Sequence, residues 1–153
     1  MDVDARAVTR AAIERHGASV EELVSVLMDV NNELGYIPAE ALDEISQQLR
    51  IPKAHLFSVA TFYGMLSTEP RGRHLIQICD SAPCHVAGGR ELWEALQNEL
   101  GLEPGETSAD GRWTLVMTSC IGLCNIAPVL VIDEDIYGNV TPERLPEILA
   151  RYE

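Results

Sequence analysis

Apolar residues along the first seventy positions recur every three to four residues, which is the period of an amphipathic α-helix. The pattern begins at three residues, Val8, Ala11 and Ala12. Gly17 is expected to end this first helix, and Ser19 heads a capping box for a second. Pro38 and Pro52 each precede a further apolar pattern, where a proline in the first turn is expected. The sequence therefore predicts three or four short helices joined by short turns.

From about residue 73 the apolar period changes to that of β-strands. Four runs are expected to be strands: residues 74–78, 113–118, 129–133 and 135–140. An apolar stripe with helical spacing at residues 90–100 predicts a helix between the first two strands. Because Pro146 lacks an amide and crowds the carbonyl four residues before it, the last helix is expected to begin only near Leu145.

This order of elements predicts the fold class and the division of the chain. The class is α/β (α+β), with an N-terminal helical bundle at residues 1–70 and a second domain at residues 71–153. The β-α-β-β-β-α order gives one helical crossover followed by an antiparallel stretch, and hence a four-stranded mixed sheet.

The charge of the chain excludes several kinds of partner. Eleven Lys and Arg against 24 Asp and Glu give a net charge of −13. Such an acidic chain is poorly suited to nucleic acid or to anionic membrane surfaces, and no apolar run is long enough to insert into a bilayer. The acidic N-terminus lacks a secretory signal, so we expect a cytoplasmic protein. In that compartment cysteines bind metals or do redox chemistry more often than they form disulfides.

The four cysteines fall into two pairs, each beginning where a predicted strand ends. Cys79 and Cys84 form a C-x4-C motif, and Cys120 and Cys124 form a C-x3-C motif. Two strand ends can turn their thiolates toward a common centre, and four thiolates are the ligand set of an iron–sulfur cluster or of a structural zinc. Zinc ribbons usually space each pair by two residues, so these spacings favour the cluster.

The loops around the cysteines carry few charges. Residues 81–83, 121–123 and 125–128 are mostly small or apolar, so their backbone amides are available to donate to sulfur. His85 follows Cys84 and could act as a Rieske-type ligand. With four cysteines present, we interpret it instead as a residue beside the site.

Two long segments, GRHLIQICDSAPCHVAGG and TSCIGLCNIAPVLVIDEDIYGNVTPE, resemble the thioredoxin-like [2Fe-2S] ferredoxin family. Its best-known member is the small iron–sulfur subunit of bacterial NADH:quinone oxidoreductase. The segments NNELGYIP and VATFYGMLSTEPRG look like the helical N-terminal part of that subunit. The resemblance implies a thioredoxin-like domain behind a helical bundle. It also implies one [2Fe-2S] cluster, with four ligands: Cys79, Cys84, Cys120 and Cys124.

The same resemblance implies a partner, a larger flavoprotein subunit that binds FMN and NADH. The host would be a respiratory NADH dehydrogenase, an NAD-linked or electron-bifurcating hydrogenase, or an NAD-dependent formate dehydrogenase. The sequence has no G-x-G-x-x-G after a strand and no P-loop, so we expect an electron-transfer subunit that is not catalytic alone. Two alternatives remain open: a zinc-stabilised, redox-inactive interaction module, and a freestanding [2Fe-2S] ferredoxin.

Residues 52–68 hold more apolar and aromatic side chains than one short helix buries easily. They are eight residues: Leu56, Phe57, Val59, Ala60, Phe62, Tyr63, Met65 and Leu66. They could pack on the second domain, or Phe62, Tyr63 and their neighbours could dock the flavoprotein subunit.

Overall fold

The computed structural model describes residues 4–152, which form two compact units that divide after Pro70. The first unit is helical and the second carries a β-sheet. Within residues 4–152, no helix combines the length and the apolar character needed to cross a membrane.

The first unit consists of four helices, α1 (Ala5–His16), α2 (Leu23–Leu34), α3 (Ala39–Leu49) and α4 (Lys53–Phe62). Gly17 ends α1 as predicted. Pro38 and Pro52 lie one position earlier than predicted, as the residues that cap α3 and α4 rather than in their first turns. Ser19 caps a single 3-10 turn ahead of α2, and its hydroxyl accepts the Glu21 N–H at 3.3 Å rather than the Glu22 N–H.

The four helices enclose one apolar core, to which α2 and α3 contribute most of the side chains. Glu44 on α3 is an acid within this unit that is only 5% exposed. Arg10 on α1 donates from Nε to its Oε1 at 2.8 Å, and Gln48 donates to the same oxygen at 3.0 Å. These hydrogen bonds, first that from Arg10, lower the pKa of Glu44 to about 2.

The segment after α4 is tied back to α2 by a buried amide. The Ser67 N–H donates to Oδ1 of the buried Asn31 at 3.0 Å, and the Ser67 carbonyl accepts the Ile37 N–H at 2.7 Å. Because buried polar groups need partners, this exchange fixes the path of the chain and allows Leu66 to enter the core.

The second unit contains a four-stranded mixed sheet with strands β1 (His74–Cys79), β2 (Trp113–Thr118), β3 (Leu130–Ile132) and β4 (Asp135–Tyr137). The strand order is β2-β1-β3-β4. β1 and β2 are parallel, while β3 is antiparallel to both β1 and β4. The predicted fold class, with one crossover and then an antiparallel stretch, is confirmed.

One face of the sheet packs against two helices, α6 (Arg90–Leu100) and α7 (Leu145–Leu149). Ile76 lies opposite Leu115 on β2 and Ile132 on β3, so apolar side chains from three strands share this face. α7 begins at Leu145, as predicted, with Pro146 in its first turn, where the missing amide breaks no helical hydrogen bond.

Glu44 makes the stability of the protein depend on pH in the acid range. Its pKa is about 2 in the folded chain against an ordinary value of 4.5, so the folded state favours the carboxylate. The stabilisation is therefore complete above about pH 4.5 and is lost as the pH falls toward 2. We expect Glu44→Gln to unfold at a lower denaturant concentration than the wild type near neutral pH, with the gap narrowing in acid.

Denaturant titrations followed by far-ultraviolet circular dichroism would measure this gap. Glu40→Gln is the matched control, because Glu40 is exposed on the same helix. It should unfold with the wild type at every pH. A Glu44→Gln gap of constant size from neutral pH to about pH 3 would contradict the assignment.

Candidate functional site

Cys79 and Cys84 form a buried pair at the end of β1. Cys79 is the last residue of that strand, and Cys84 ends α5 (Ala82–Cys84), a single helical turn. They are only 4% and 2% exposed, and both pack against the buried Val129. The His85 N–H donates to the Ser81 carbonyl at 3.0 Å and closes the turn around Cys84. We call Cys79 and Cys84 the inner pair.

Two glycines carry the chain from the inner pair into α6. Gly88 has a φ of 103°, in the left-handed region that favours glycine. A Cβ on Gly89 would lie 2.7 Å from the carbonyl oxygen of Cys84, closer than any side chain tolerates. The absence of a side chain at Gly89 therefore lets α6 start directly against the backbone of Cys84.

Cys120 and Cys124 form a second, exposed pair in the loop that follows β2. Cys120 comes two residues after the strand, and Cys124 opens the 3-10 turn Cys124–Ile126. Gly122 between them has a φ of 82°, which allows the tight turn of the loop. Their sulfur atoms are 3.9 Å apart. Both side chains are exposed, and we call them the outer pair.

Hydrogen bonds hold the two cysteine loops at the same edge of the sheet. The Asp80 N–H donates to the Thr118 carbonyl at 3.0 Å, which continues the β1–β2 ladder to the start of both loops. The Asn139 N–H donates to the Ile126 carbonyl at 2.7 Å and anchors the segment after the outer pair. The structure thus brings the two pairs to one edge, as the sequence predicts. Within residues 4–152, however, no three His, Cys, Asp or Glu side chains are close enough to form a metal-binding group.

The thiols of the inner pair have opposite pKa shifts. Burial opposes ionisation of Cys79, but hydrogen bonds that include the N–H groups of Ser81 and Ile121 outweigh it and lower the Cys79 pKa. Burial and the neighbouring Cys79 raise the pKa of Cys84, although the Val129 N–H donates to its sulfur. Ile121 lies between Cys120 and Cys124, so the loop that carries the outer pair interacts directly with Cys79.

In the outer pair, the hydrogen bond between the two thiols acts on Cys124. Its pKa is raised, first by this bond with Cys120, then by desolvation and by the charge of Cys120. A thiol that shares its proton with a neighbouring sulfur loses that proton less readily. A bound metal ion would displace the proton that the two sulfurs share, because thiols that coordinate a metal are deprotonated.

The donor chemistry of the two cysteine loops suits an iron–sulfur cluster. All four cysteines are free thiols, and hydrogen bonds that include backbone N–H groups lower the pKa of Cys79 and favour its thiolate form. The segment 118–130 that carries the outer pair contains no charged residue. Low charge and partial burial limit water at such a centre, and these are the surroundings through which a protein tunes it.

His85 lies beside the site and not among the cysteines. Its side chain is exposed and lines a cavity of about 320 Å³ together with Cys79, Asp80 and Trp93. Of the other histidines, His16 contacts Asp29 within the helical unit, and His74 contacts Asp133 at the start of β1.

Two residues that position the cysteines are not identified from the sequence alone. Val129 bridges the inner pair, since its carbonyl accepts the Cys79 N–H at 3.5 Å and its N–H donates to the Cys84 sulfur. Gly89 is the other, through its contact with the Cys84 carbonyl. The adjacent glycines, Gly88 and Gly89, immediately before the predicted helix are the sequence signal that could have identified Gly89.

Comparison with known proteins places this geometry in a family. The sequence model of the thioredoxin-like [2Fe-2S] ferredoxin matches residues 9–153. The E subunit of NADH-quinone oxidoreductase from Escherichia coli strain K12 is 39% identical over 95% of this chain and 90% of its own length. The E subunit of the same oxidoreductase from Aquifex aeolicus strain VF5 is 36% identical over 86% of this chain and 82% of its own.

A solved structure of an air-oxidised NAD+-reducing [NiFe]-hydrogenase matches with a TM-score of 0.74 and 26% identity. The match covers 86% of this chain but only 22% of the hydrogenase chain. The fold therefore forms about a fifth of a longer polypeptide there. The family match over nearly all of this chain implies a [2Fe-2S] cluster, and the chain belongs to the thioredoxin-like [2Fe-2S] ferredoxin family.

Proposed function

We propose that this chain is the [2Fe-2S] electron-transfer subunit of an NADH dehydrogenase module, with the cluster held by four thiolates: Cys79, Cys84, Cys120 and Cys124. The observation that carries the proposal is that two cysteine pairs follow the neighbouring parallel strands β1 and β2 at the same edge of the sheet. A bound [2Fe-2S] cluster supplies one-electron transfer, which complements the two-electron chemistry of NADH and flavin.

The two pairs of cysteines have different tasks in this proposal. The inner pair is buried and receives backbone hydrogen bonds, so it excludes water and fixes the position of two ligands. The outer pair faces solvent, so a redox partner approaches from its side. The surface beside the cysteines includes Val86, 85% exposed, and Ile121, which is also exposed. Uncharged apolar surface of this kind can be covered by a protein partner at little desolvation cost.

The partner in this proposal is a flavoprotein subunit that binds FMN and NADH. The sequence of this chain has no dinucleotide-binding fingerprint, so these cofactors require another polypeptide. The relatives support the idea of a partner, because the proteins from Escherichia coli and Aquifex aeolicus are named as subunits of a larger oxidoreductase. The assembly would work in the cytoplasm or at the cytoplasmic face of a membrane complex. Its host is a respiratory NADH dehydrogenase, a hydrogenase or a formate dehydrogenase.

The first unit presents an aromatic patch that suits such a partner. The patch consists of Phe57, Phe62, Tyr63 and Met65, all exposed around the end of α4. Phe62 is 79% exposed, and its ring meets that of Tyr63 edge to face at 5.1 Å between centroids. Leu56, Ala60 and Leu66 from the same segment are buried in the helical core, so only part of the apolar cluster found in the sequence packs there. We propose that the patch binds the flavoprotein subunit.

Analysis of bound iron and sulfide tests whether the cofactor is a [2Fe-2S] cluster. Protein made with ample iron and purified without oxygen should contain about two irons and two sulfides per chain, since four thiolates complete the coordination of a two-iron cluster. After reduction it should show an S = 1/2 signal in electron paramagnetic resonance. Stoichiometric zinc and a colourless protein would instead support the zinc-stabilised interaction module.

The ligand assignment is tested by a pair of neighbouring variants. Cys124→Ala removes one thiolate and opens an iron to solvent, so we expect the cluster to be lost or to bleach quickly in air. His85→Ala removes only a side chain beside the site, and its visible absorption should match that of the wild type. Loss of the visible bands in His85→Ala would show that the four-cysteine ligand set is wrong.

Co-purification of full-length chains with the flavoprotein subunit tests the docking patch. An aromatic anchor in the centre of an interface often contributes about 2 kcal/mol or more, so Phe62→Ala should weaken binding by about 30-fold. Val20→Ala is the matched control, because Val20 is an exposed apolar residue of the same unit outside the patch. Equal affinity of Phe62→Ala and wild type would place the docking surface elsewhere.

A further inference from the structure

We propose that the outer pair, Cys120 and Cys124, forms a reversible disulfide whenever the chain carries no cluster, while Cys79 and Cys84 remain thiols. This inference goes beyond electron transfer, because it concerns the chain before its cluster is inserted or after it is lost. It identifies a site of oxidation that protects the metal-binding residues from irreversible damage.

The geometry of the outer pair favours this bond. The two sulfurs are 3.9 Å apart, so they must approach by about 1.9 Å to reach the length of a disulfide. Both cysteines are exposed, and the loop between them contains Gly122, where a Cβ would have no neighbouring atom within 4 Å. A small backbone rotation at Gly122 therefore meets no steric obstacle.

The inner pair differs from the outer pair in access, which is one of the properties that set the rate of thiol–disulfide exchange. Cys79 and Cys84 are 4% and 2% exposed and pack against Val129, so a soluble disulfide cannot align with their sulfurs without opening the core. A single oxidant therefore distinguishes two pairs that contain the same chemical group.

The oxidant in this proposal is a low-molecular-mass disulfide such as oxidised glutathione. One outer thiolate attacks a glutathione sulfur, forms a mixed disulfide and releases one glutathione thiolate. The second outer cysteine then attacks the mixed disulfide and releases the second glutathione. Two protein thiols lose two electrons and two protons, and one glutathione disulfide becomes two thiols. A dithiol reductant reverses both steps.

The disulfide keeps the cysteines recoverable. An exposed thiol in an oxidising medium can proceed from sulfenic to sulfinic acid, and the sulfinic form is not reduced by ordinary thiols. A disulfide stops this sequence at a reversible stage. Reduction then returns the four thiols that a new cluster requires.

Peptide mapping of the full-length chain tests the proposal. Iron is removed with a chelator under a thiol reductant, the reductant is exchanged for oxidised glutathione, and remaining thiols are blocked with N-ethylmaleimide in denaturant. Trypsin then separates the pairs, because its cleavage sites place Cys79 and Cys84 in peptide 74–90 and Cys120 and Cys124 in peptide 113–144. Peptide 113–144 should lack the label and weigh two hydrogens less, while peptide 74–90 should carry two labels.

Cys124→Ser is the control for the second step. Its Cys120 has no partner for ring closure, so peptide 113–144 should retain one glutathione until a dithiol is added. An internal disulfide in peptide 74–90, a link between the two peptides, or two labels on wild-type peptide 113–144 would overturn the proposal. The readout is the mass of the apo chain, so its failure is distinct from failure of the electron-transfer proposal, which is judged on iron, sulfide and paramagnetism of the loaded chain.

Discussion

The parallel pairing of β1 and β2 is the constraint on which the site depends. Residue by residue, it aligns His74 with Trp113 and Cys79 with Thr118, so both strands end at one edge of the sheet. A parallel pair cannot be joined by a tight turn and needs a crossover. That crossover begins with α5, which carries Cys84, and continues into α6, which covers the sheet. The parallel ladder places the two cysteine loops side by side, and the connection that it requires also carries one of the four cysteines, Cys84.

The two cysteine pairs differ in burial, since the inner pair is buried and the outer pair is exposed. Burying a thiolate costs free energy unless hydrogen bonds replace the lost water, and bonds that include the backbone N–H groups of Ser81 and Ile121 provide that replacement for Cys79. The outer pair retains contact with solvent, and segment 118–130 around it is free of charge. The net charge of −13 is consequently carried by other surfaces. In the two proposals, electrons and oxidants both approach the cysteines from the exposed outer pair, and this common access links the proposed function to the proposed disulfide.

The helical unit is an integral part of the family pattern. The family match begins at residue 9 and so includes the four helices as well as the sheet. Its core is closed by ties between distant segments, such as Arg10 with Glu44 and Asn31 with Ser67. These ties hold the chain at the end of α4, which leaves Phe62 and Tyr63 at the surface while Leu56 is buried. Aromatic side chains held at the surface in this way are suited to the docking role that we propose for them.

The sequence by itself determined the helices, the mixed sheet, the late start of α7 at Leu145 and the position of each cysteine pair after a strand. These features follow from local rules, namely the period of apolar residues, the steric limits of proline and the need of a parallel pair for a crossover. The resemblance of sequence segments around the cysteines to a known family identified that family, and the comparisons confirm it. Only the tertiary structure decided that Cys79 and Cys84 are buried while Cys120 and Cys124 are exposed, and that the Val129 backbone bridges the inner pair. Burial and hydrogen bonding of this kind depend on which distant segments pack together, and no local pattern in the sequence specifies that.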